Sequence, residues 1–252
     1  MITIKTKSEI EKMAEAGKIL AEALVKASEV VRPGMSTAEL DAAVEKVILS
    51  HHATPSFKGY RGFPACCCVS RNEVVVHGIP SKKEILQEGD IVSIDAGAYY
   101  KGYHSDAART FPVGEISSEA RRLIDVTREC FFRGAEAALM GNRVGDIGHA
   151  VQSLAEENGF GVVRALVGHG VGKDLHEAPD VPNFGRPGHG VRLVRNMVIA
   201  IEPMITAGTY EVNFDKRDGW TVRTNDKSLA AHYENTVVIT ENGPVFLTLE
   251  AV

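Results

Sequence analysis

The chain has 252 residues, with 28 Lys and Arg against 33 Asp and Glu, a formal charge of −5, 44% hydrophobic and 24% charged residues. That composition excludes disordered, collagen-like and coiled-coil classes, and the length suits one large domain or two compact halves with a real core. The mild acidity and scattered basic residues argue against sequence-specific nucleic-acid binding.

Residues 1–12 are charged from Lys5 onward and lack an apolar stretch, so no secretory leader is expected. No uncharged apolar run approaches the ~18–20 residues of a membrane span. Cys66, Cys67, Cys68 and Cys130 are spaced badly for disulfides or structural zinc. A reducing compartment, and hence a cytoplasmic location, is the expectation.

Helical periodicity runs from Lys7 to Val31, with Ser8 as the expected N-cap, and Pro33-Gly34 stops it. Ser36 or Thr37 opens a second helix to about His51, with Leu40, Val44, Val47 and Ile48 inward. Short strands are expected at Cys66–Ser70, Val74–Val76, Ile91–Tyr99 and Tyr103–Phe111. A helical pattern returns from Ser117 to Leu139, Gly141 breaks it, and a further helix to about Asn158 precedes short strands and Gly/Pro-rich turns.

An offset of 107 residues places Gly34 on Gly141, Glu39 on Asp146, Val44 on Val151 and Asp95 on Glu202. Amphipathic helices alone could coincide by chance. A carboxylate within an apolar strand at both ends of the offset points instead to a helix–helix–strand unit used twice, with a site between the halves.

Ile91 to Asp106 reads as a hairpin turning at Lys101-Gly102, so that Tyr100 faces Tyr103 and Asp106 faces Gly97. Asp95 then shares a face with Asp106 as a diagonal neighbour, roughly 7–8 Å away at the backbone. Either acid alone could be an ordinary polar residue on a solvated face. Asp95, between Ile94 and Ala96, fits that description poorly. Glu202 repeats the anomaly in Val198–Ile205, where an unpaired acid is costly to bury. Glu234 opens another strand and, taken alone, could equally be an edge residue. His169 lies in a glycine-rich run, and His77 and His176 stand near similar turns.

Four inward carboxylates and an imidazole balance two divalent cations, an oxygen-rich set that favours Mn, Fe or Co over structural zinc. His-Glu-x-x-His, Gly-x-Ser-x-Gly and phosphate-loop motifs are absent.

The segments Gly59–Pro80, Asp95–Asp106, Gly168–Pro179, Ala200–Met204 and Tyr233–Thr236 together resemble the bacterial type I methionine aminopeptidases. The resemblance spans essentially the whole chain. It implies an α+β pita-bread fold, with two pseudo-symmetric helix-helix-strand halves around an antiparallel sheet. The implied single catalytic domain covers residues 1–252, with halves of about 1–115 and 116–252. By matching position, it further implies Asp95, Asp106, His169, Glu202 and Glu234 as ligands of two divalent ions: Co, Mn or Fe(II), with Zn admissible. Glu202 would be the general base, and His77 and His176 the non-ligand catalytic histidines. Tyr60, Phe63, Cys68 and Trp220 would receive a methionine side chain, beside His77 and His176. The implied substrates are nascent N-termini with a small second residue; transient ribosome association and a monomeric state accompany them.

Arg61, Leu175 and Asn235 depart from the usual family pattern, and Cys66 and Cys67 add thiols best read as small core residues. Proline-specific peptidases share the fold and a similar five-ligand centre, usually with an additional N-terminal domain. A non-catalytic pita-bread binding module would be marked by a missing ligand.

Overall fold

The computed structural model describes residues 2–249. Two helices, α1 (Lys7–Val30) and α2 (Thr37–Ser50), lead into β1 (Thr54–Pro55), β2 (Cys67–Arg71), β3 (Val74–Val76), β4 (Ile91–Tyr100) and β5 (Tyr103–Pro112). Helices α3 (Ser118–Ala137) and α4 (Val144–Glu157) open the second half. They are followed by β6 (Gly161–Val162), β7 (Gly168–Gly170), β8 (Glu177–Val181), β9 (Val198–Ile201) and β10 (Met204–Thr206). The chain closes with β11 (Val212–Phe214), β12 (Val222–Thr224), β13 (Ala230–His232), β14 (Glu234–Thr240) and β15 (Gly243–Phe246).

Helix α1 starts at Lys7, where the periodicity begins, but its N-cap lies two residues before the expected Ser8. Its N-cap is Thr6, not Ser8: the Thr6 side chain accepts from the Glu9 N–H while the Glu9 carboxylate accepts from the Thr6 N–H at 2.7 Å. A reciprocal Thr-x-x-Glu box satisfies two orphan donors at once, which a lone Ser8 could not do. Ser36 with Glu39 repeats the device on α2.

The main sheet runs β1-β4-β5-β14-β9-β7-β8, with β2 also on β4 and β15 also on β14, and its pairings are antiparallel. Leu20, Leu24, Leu40 and Val44 of the first helix pair pack with Ile94 and Ala96 of β4. Phe131 and Ile147 of the second pair pack with Ile199, Ile201 and Val237. Side chains alternate along a strand, so Asp95, between Ile94 and Ala96, is turned away from the helix-covered cluster. The halves meet where Ala107 and Ala108 of β5 pair with Asn235 and Glu234 of β14.

The 107-residue offset extends to individual hydrogen bonds. Gly34 N–H donates to Leu86 O at 2.8 Å, and Gly141 N–H donates to Leu193 O at 2.9 Å. Both glycines have positive φ, 83° and 97°. The bridge Ser36↔Ile85 recurs as Arg143↔Arg192, and β4 and β9 begin at the matching residues Ile91 and Val198. The hairpin register is as the sequence suggests, with Tyr100↔Tyr103 and Gly97↔Asp106.

Gly17 carries the contact between α1 and the C-terminal segment, because a Cβ there would lie 1.9 Å from Leu247 O. That atom is backbone and cannot swing aside. Gly17→Ala is therefore expected to destabilise the chain by about 1–3 kcal/mol through overpacking. A thermal melt of the variant checks this, and an unchanged Tm would contradict it.

Candidate metal centre

Five strands or strand ends converge on one cavity of about 300 Å³. Asp95 comes from β4, Asp106 from β5, His169 from β7, Glu202 from the end of β9 and Glu234 from the start of β14. Asp95 pairs with Ala108, and Ala108 with Glu234, so the two acids stand on one row of the sheet with a methyl group between them. Gly97, facing Asp106, leaves room, since a Cβ there would meet the Ser56 side chain at 2.7 Å. The glycines flanking His169 admit close backbone: a Cβ on Gly168 would lie 2.4 Å from Ala200 O, and one on Gly170 2.4 Å from Ala178 O.

The ligand atoms of Asp106, His169 and Glu234 lie within 4.8 Å of one another. His169 Nδ1 lies 2.9 Å from Gly170 O, a spacing that makes Nδ1 the protonated nitrogen and leaves the Nε2 lone pair facing the acids. Nε2 is 3.6 Å from both Asp106 and Glu202. Asp95 Oδ1, Asp106 Oδ1 and Glu234 Oε1 are buried without a hydrogen-bond partner. Burial pushes the Asp95 carboxyl up to about 7 and holds Asp106, Glu202 and Glu234 well above the ordinary carboxylate range. Their mutual repulsion adds to the effect at Asp106, Glu202 and Glu234. Orphaned, converging oxygens with one imidazole lone pair are the donor set that a hard divalent cation completes.

The remaining nominated residues line the same cavity: His77 and His176, and Tyr60, Phe63, Cys68 and Trp220. His176 stacks beside His169 with ring centroids 4.1 Å apart, and its Nδ1 lies 3.0 Å from the Tyr60 hydroxyl. Burial, with the nearby charges of His169 and Arg61, lowers its pKa to about 3, so the ring is neutral. His77 stands edge-on to Trp220 at 6.0 Å, and Phe63 packs against the same indole at 5.1 Å. Phe57 and Leu175 complete the apolar wall. Sequence inspection passed over Phe57, for which the only signal was an aromatic three residues before Tyr60.

Arg61 is on the rim, its guanidinium 5.3 Å above the Tyr60 ring, with φ of 48° between two left-handed glycines. Asn235 is buried, accepting from Arg109 Nη2 at 2.8 Å and from the Thr248 hydroxyl at 3.0 Å. Cys66 and Cys67 are fully buried, and burial pushes both thiols up, so they behave as small core residues.

Sequence inspection missed His232. It is 1% exposed, its Nε2 lies 3.8 Å from Glu202 and 3.9 Å from Glu234, and burial lowers its pKa to about 3. The available signal was position: a residue two before Glu234 in extended chain shares its face.

The sequence profile of metallopeptidase family M24 matches residues 11–241. Methionine aminopeptidase of Clostridium acetobutylicum is 57% identical over 249 residues, covering 99% of both chains. Methionine aminopeptidase 1 of Bacillus subtilis is 48% identical, over 98% of this chain and 99% of its own. The crystal structure of methionine aminopeptidase from Thermotoga maritima superposes with a TM-score of 0.97 at 47% identity, over 99% of this chain and 100% of that one. Prolidase from Pyrococcus furiosus gives 0.77 at 28% identity, and this chain spans only 66% of it.

Carboxyls whose pKa rises on folding favour the folded state at low pH. That contribution is full below the unfolded value near ~4 and is lost as pH rises through the folded value. Chelator-stripped protein is therefore expected to lose thermal stability from pH 5 to pH 8. Added Mn(II) should restore more at pH 8, where the ion replaces protons, than at pH 5. Melting curves with and without the ion check this; an equal gain at both values would contradict it.

Proposed function

This chain belongs to metallopeptidase family M24, and we propose that within it the chain acts as a methionine aminopeptidase, removing the initiator methionine from nascent proteins whose second residue is small. The observation that carries this reading is the convergence of four acids, three of them buried, and one imidazole beside an apolar pocket in a chain similar along its whole length to methionine aminopeptidases. Asp95, Asp106, His169, Glu202 and Glu234 would hold two divalent ions, whose combined charge the four carboxylates neutralise. Mn, Fe(II) or Co suits the oxygen-rich set, and Zn is admissible. Bound there, such ions supply Lewis-acid polarisation of the scissile carbonyl and lower the pKa of water towards ~7.

The protein groups divide the remaining work. Phe57, Tyr60, Phe63, Cys68, Leu175 and Trp220 offer aromatic, thiol and aliphatic surface to a thioether side chain, an adaptable apolar group that gains from contact with ring edges. Glu202 is the general base: its side chain is 13% exposed, against 4% for Asp106 and 2% for Glu234, so among these three it has the best access to water. The neutral His176, oriented by Tyr60, and His77, braced on Trp220, donate hydrogen bonds to the oxyanion of the tetrahedral intermediate or to the peptide that flanks it. Since one chain supplies every one of these groups, a monomer suffices. Emerging N-termini as substrate would place the enzyme in the cytoplasm, in transient contact with ribosomes.

Hydrolysis of Met-Ala-Ser, Met-Leu-Ser and Ala-Pro-Ser by chelator-stripped protein, before and after addition of Mn, Fe(II) or Co, tests the assignment. Metal-dependent cleavage of Met-Ala-Ser alone is expected. Cleavage of Ala-Pro-Ser instead would assign the chain to proline-specific peptidases, and no cleavage with any ion would make it a binding module. Glu202→Gln should retain a wild-type circular dichroism spectrum while turnover falls by at least about 10²-fold, the usual contribution of a positioned base. Near-normal turnover in that variant would remove Glu202 from the mechanism.

A further inference from the structure

The two ring nitrogens of His232 are the most anomalous polar atoms near the centre. Both are buried and neither has a hydrogen-bond partner. A neutral imidazole carries one donor and one acceptor, and leaving both unpaired in the interior is costly. Nothing in the division of roles above uses this side chain.

The register explains how it arrives there. Asn235↔Ile201 on β14 and β9 and Met204↔His232 on β10 and β13 belong to the same antiparallel register, interrupted at Pro203 and Tyr233. Continuing that register places Glu202 opposite Glu234, with His232 diagonal to Glu202 and two residues from Glu234. Alternation keeps all three on one face, while Tyr233 between them turns away onto Phe131 and Arg109.

The distances separate two uses for the ring. At 3.8 Å from Glu202 Oε2 and 3.9 Å from Glu234 Oε2, Nε2 is beyond hydrogen-bond reach of either. Atoms that share one cation at bond lengths of ~2.1 Å stand roughly 3–4 Å apart. His169 shows that spacing on the other side, 3.6 Å from Asp106 and from Glu202. Glu202 is thus flanked by two imidazoles, each at ligand-to-ligand distance.

We propose that His232 is a further metal-ligating residue of this centre, joining Glu202 and Glu234 through Nε2 so that the site carries two nitrogen donors rather than one. The inference rests on the metal-centre assignment and adds a ligand to it. A second neutral nitrogen shifts the donor set towards softer ions, favouring Co(II) or Fe(II) over Mn(II) relative to a site with one imidazole. Pro203 and Tyr233, which interrupt the ladder, let Glu202 and His232 approach a common point.

The test uses the full chain, stripped with chelator and titrated with Co(II). Proton NMR of the wild-type Co(II) form should show two strongly shifted imidazole N–H signals, one lost in His169→Ala and the other in His232→Gln. Calorimetry should show one Co(II) affinity in His232→Gln weakened by at least about tenfold, the scale that even outer partners of a metal site command. A single shifted N–H in the wild type, or two that both persist in His232→Gln, would overturn the inference while leaving the metal centre standing. Failure of the wild type to bind Co(II), Mn(II) or Fe(II) would overturn the metal centre itself. A single shifted N–H in the wild type overturns the inference even if the variants do not fold, and a second substitution, His232→Asn, assigns the second signal if His232→Gln fails to fold.

Discussion

Four carboxylates brought within a few ångströms in a buried cavity constitute the constraint on which this structure turns. Each would have to remain protonated, or share a cation, for the folded chain to tolerate the others. The charge of Asp95 raises the pKa of Asp106, Glu202 and Glu234 on top of the burial that all four acids experience. The same repulsion would be relieved by a cation held among these acids. With an ion proposed to sit there, the stability of the fold and the chemistry of the site would be two readings of one charge balance.

Holding the acids in that arrangement falls to the seam between the halves. Arg109 Nη1 donates to Glu234 O at 2.6 Å, and Nη2 donates to Asn235 Oδ1, which also accepts from the Thr248 hydroxyl. Thr248 Oγ in turn accepts from Thr236 N–H at 3.0 Å, and the Thr236 hydroxyl donates to Asp106 O at 2.8 Å. Tyr233 covers the guanidinium, 4.3 Å from its ring centroid. Backbone on both sides of the site is thus tied to one buried cation and to the C-terminal segment. Gly17 matters here because it lets that segment lie against α1.

Much of this was legible in the chain. Hairpin register followed from a two-residue turn at Lys101-Gly102, and the helix boundaries fell within one or two residues because glycines and caps mark them. The duplicated unit showed itself through Gly34 and Gly141, whose left-handed conformations serve the same hydrogen bond in each half. Asp95 and Glu202 stood out because an acid inside an apolar strand demands a partner. Thr6 caps α1 in place of Ser8 because a capping box depends on Glu9 folding back, a local geometry that propensity does not register.

The sequence by itself determined the elements, the register of the central hairpin, the family and the identity of the acids, because each is written in local periodicity, turn chemistry or motif spacing. Tertiary structure alone decided what those residues meet. It ran β9–β10 and β13–β14 in one register, so that Glu202 and His232, thirty residues apart, flank a common point. It also gathered Phe57 and Leu175 into the cluster on which Trp220 packs and placed Arg61 on the rim. Such encounters depend on which strands pair across the seam and how closely backbones approach at Gly168 and Gly170. These are sums over many weak, long-range contacts, and no short stretch of sequence encodes them.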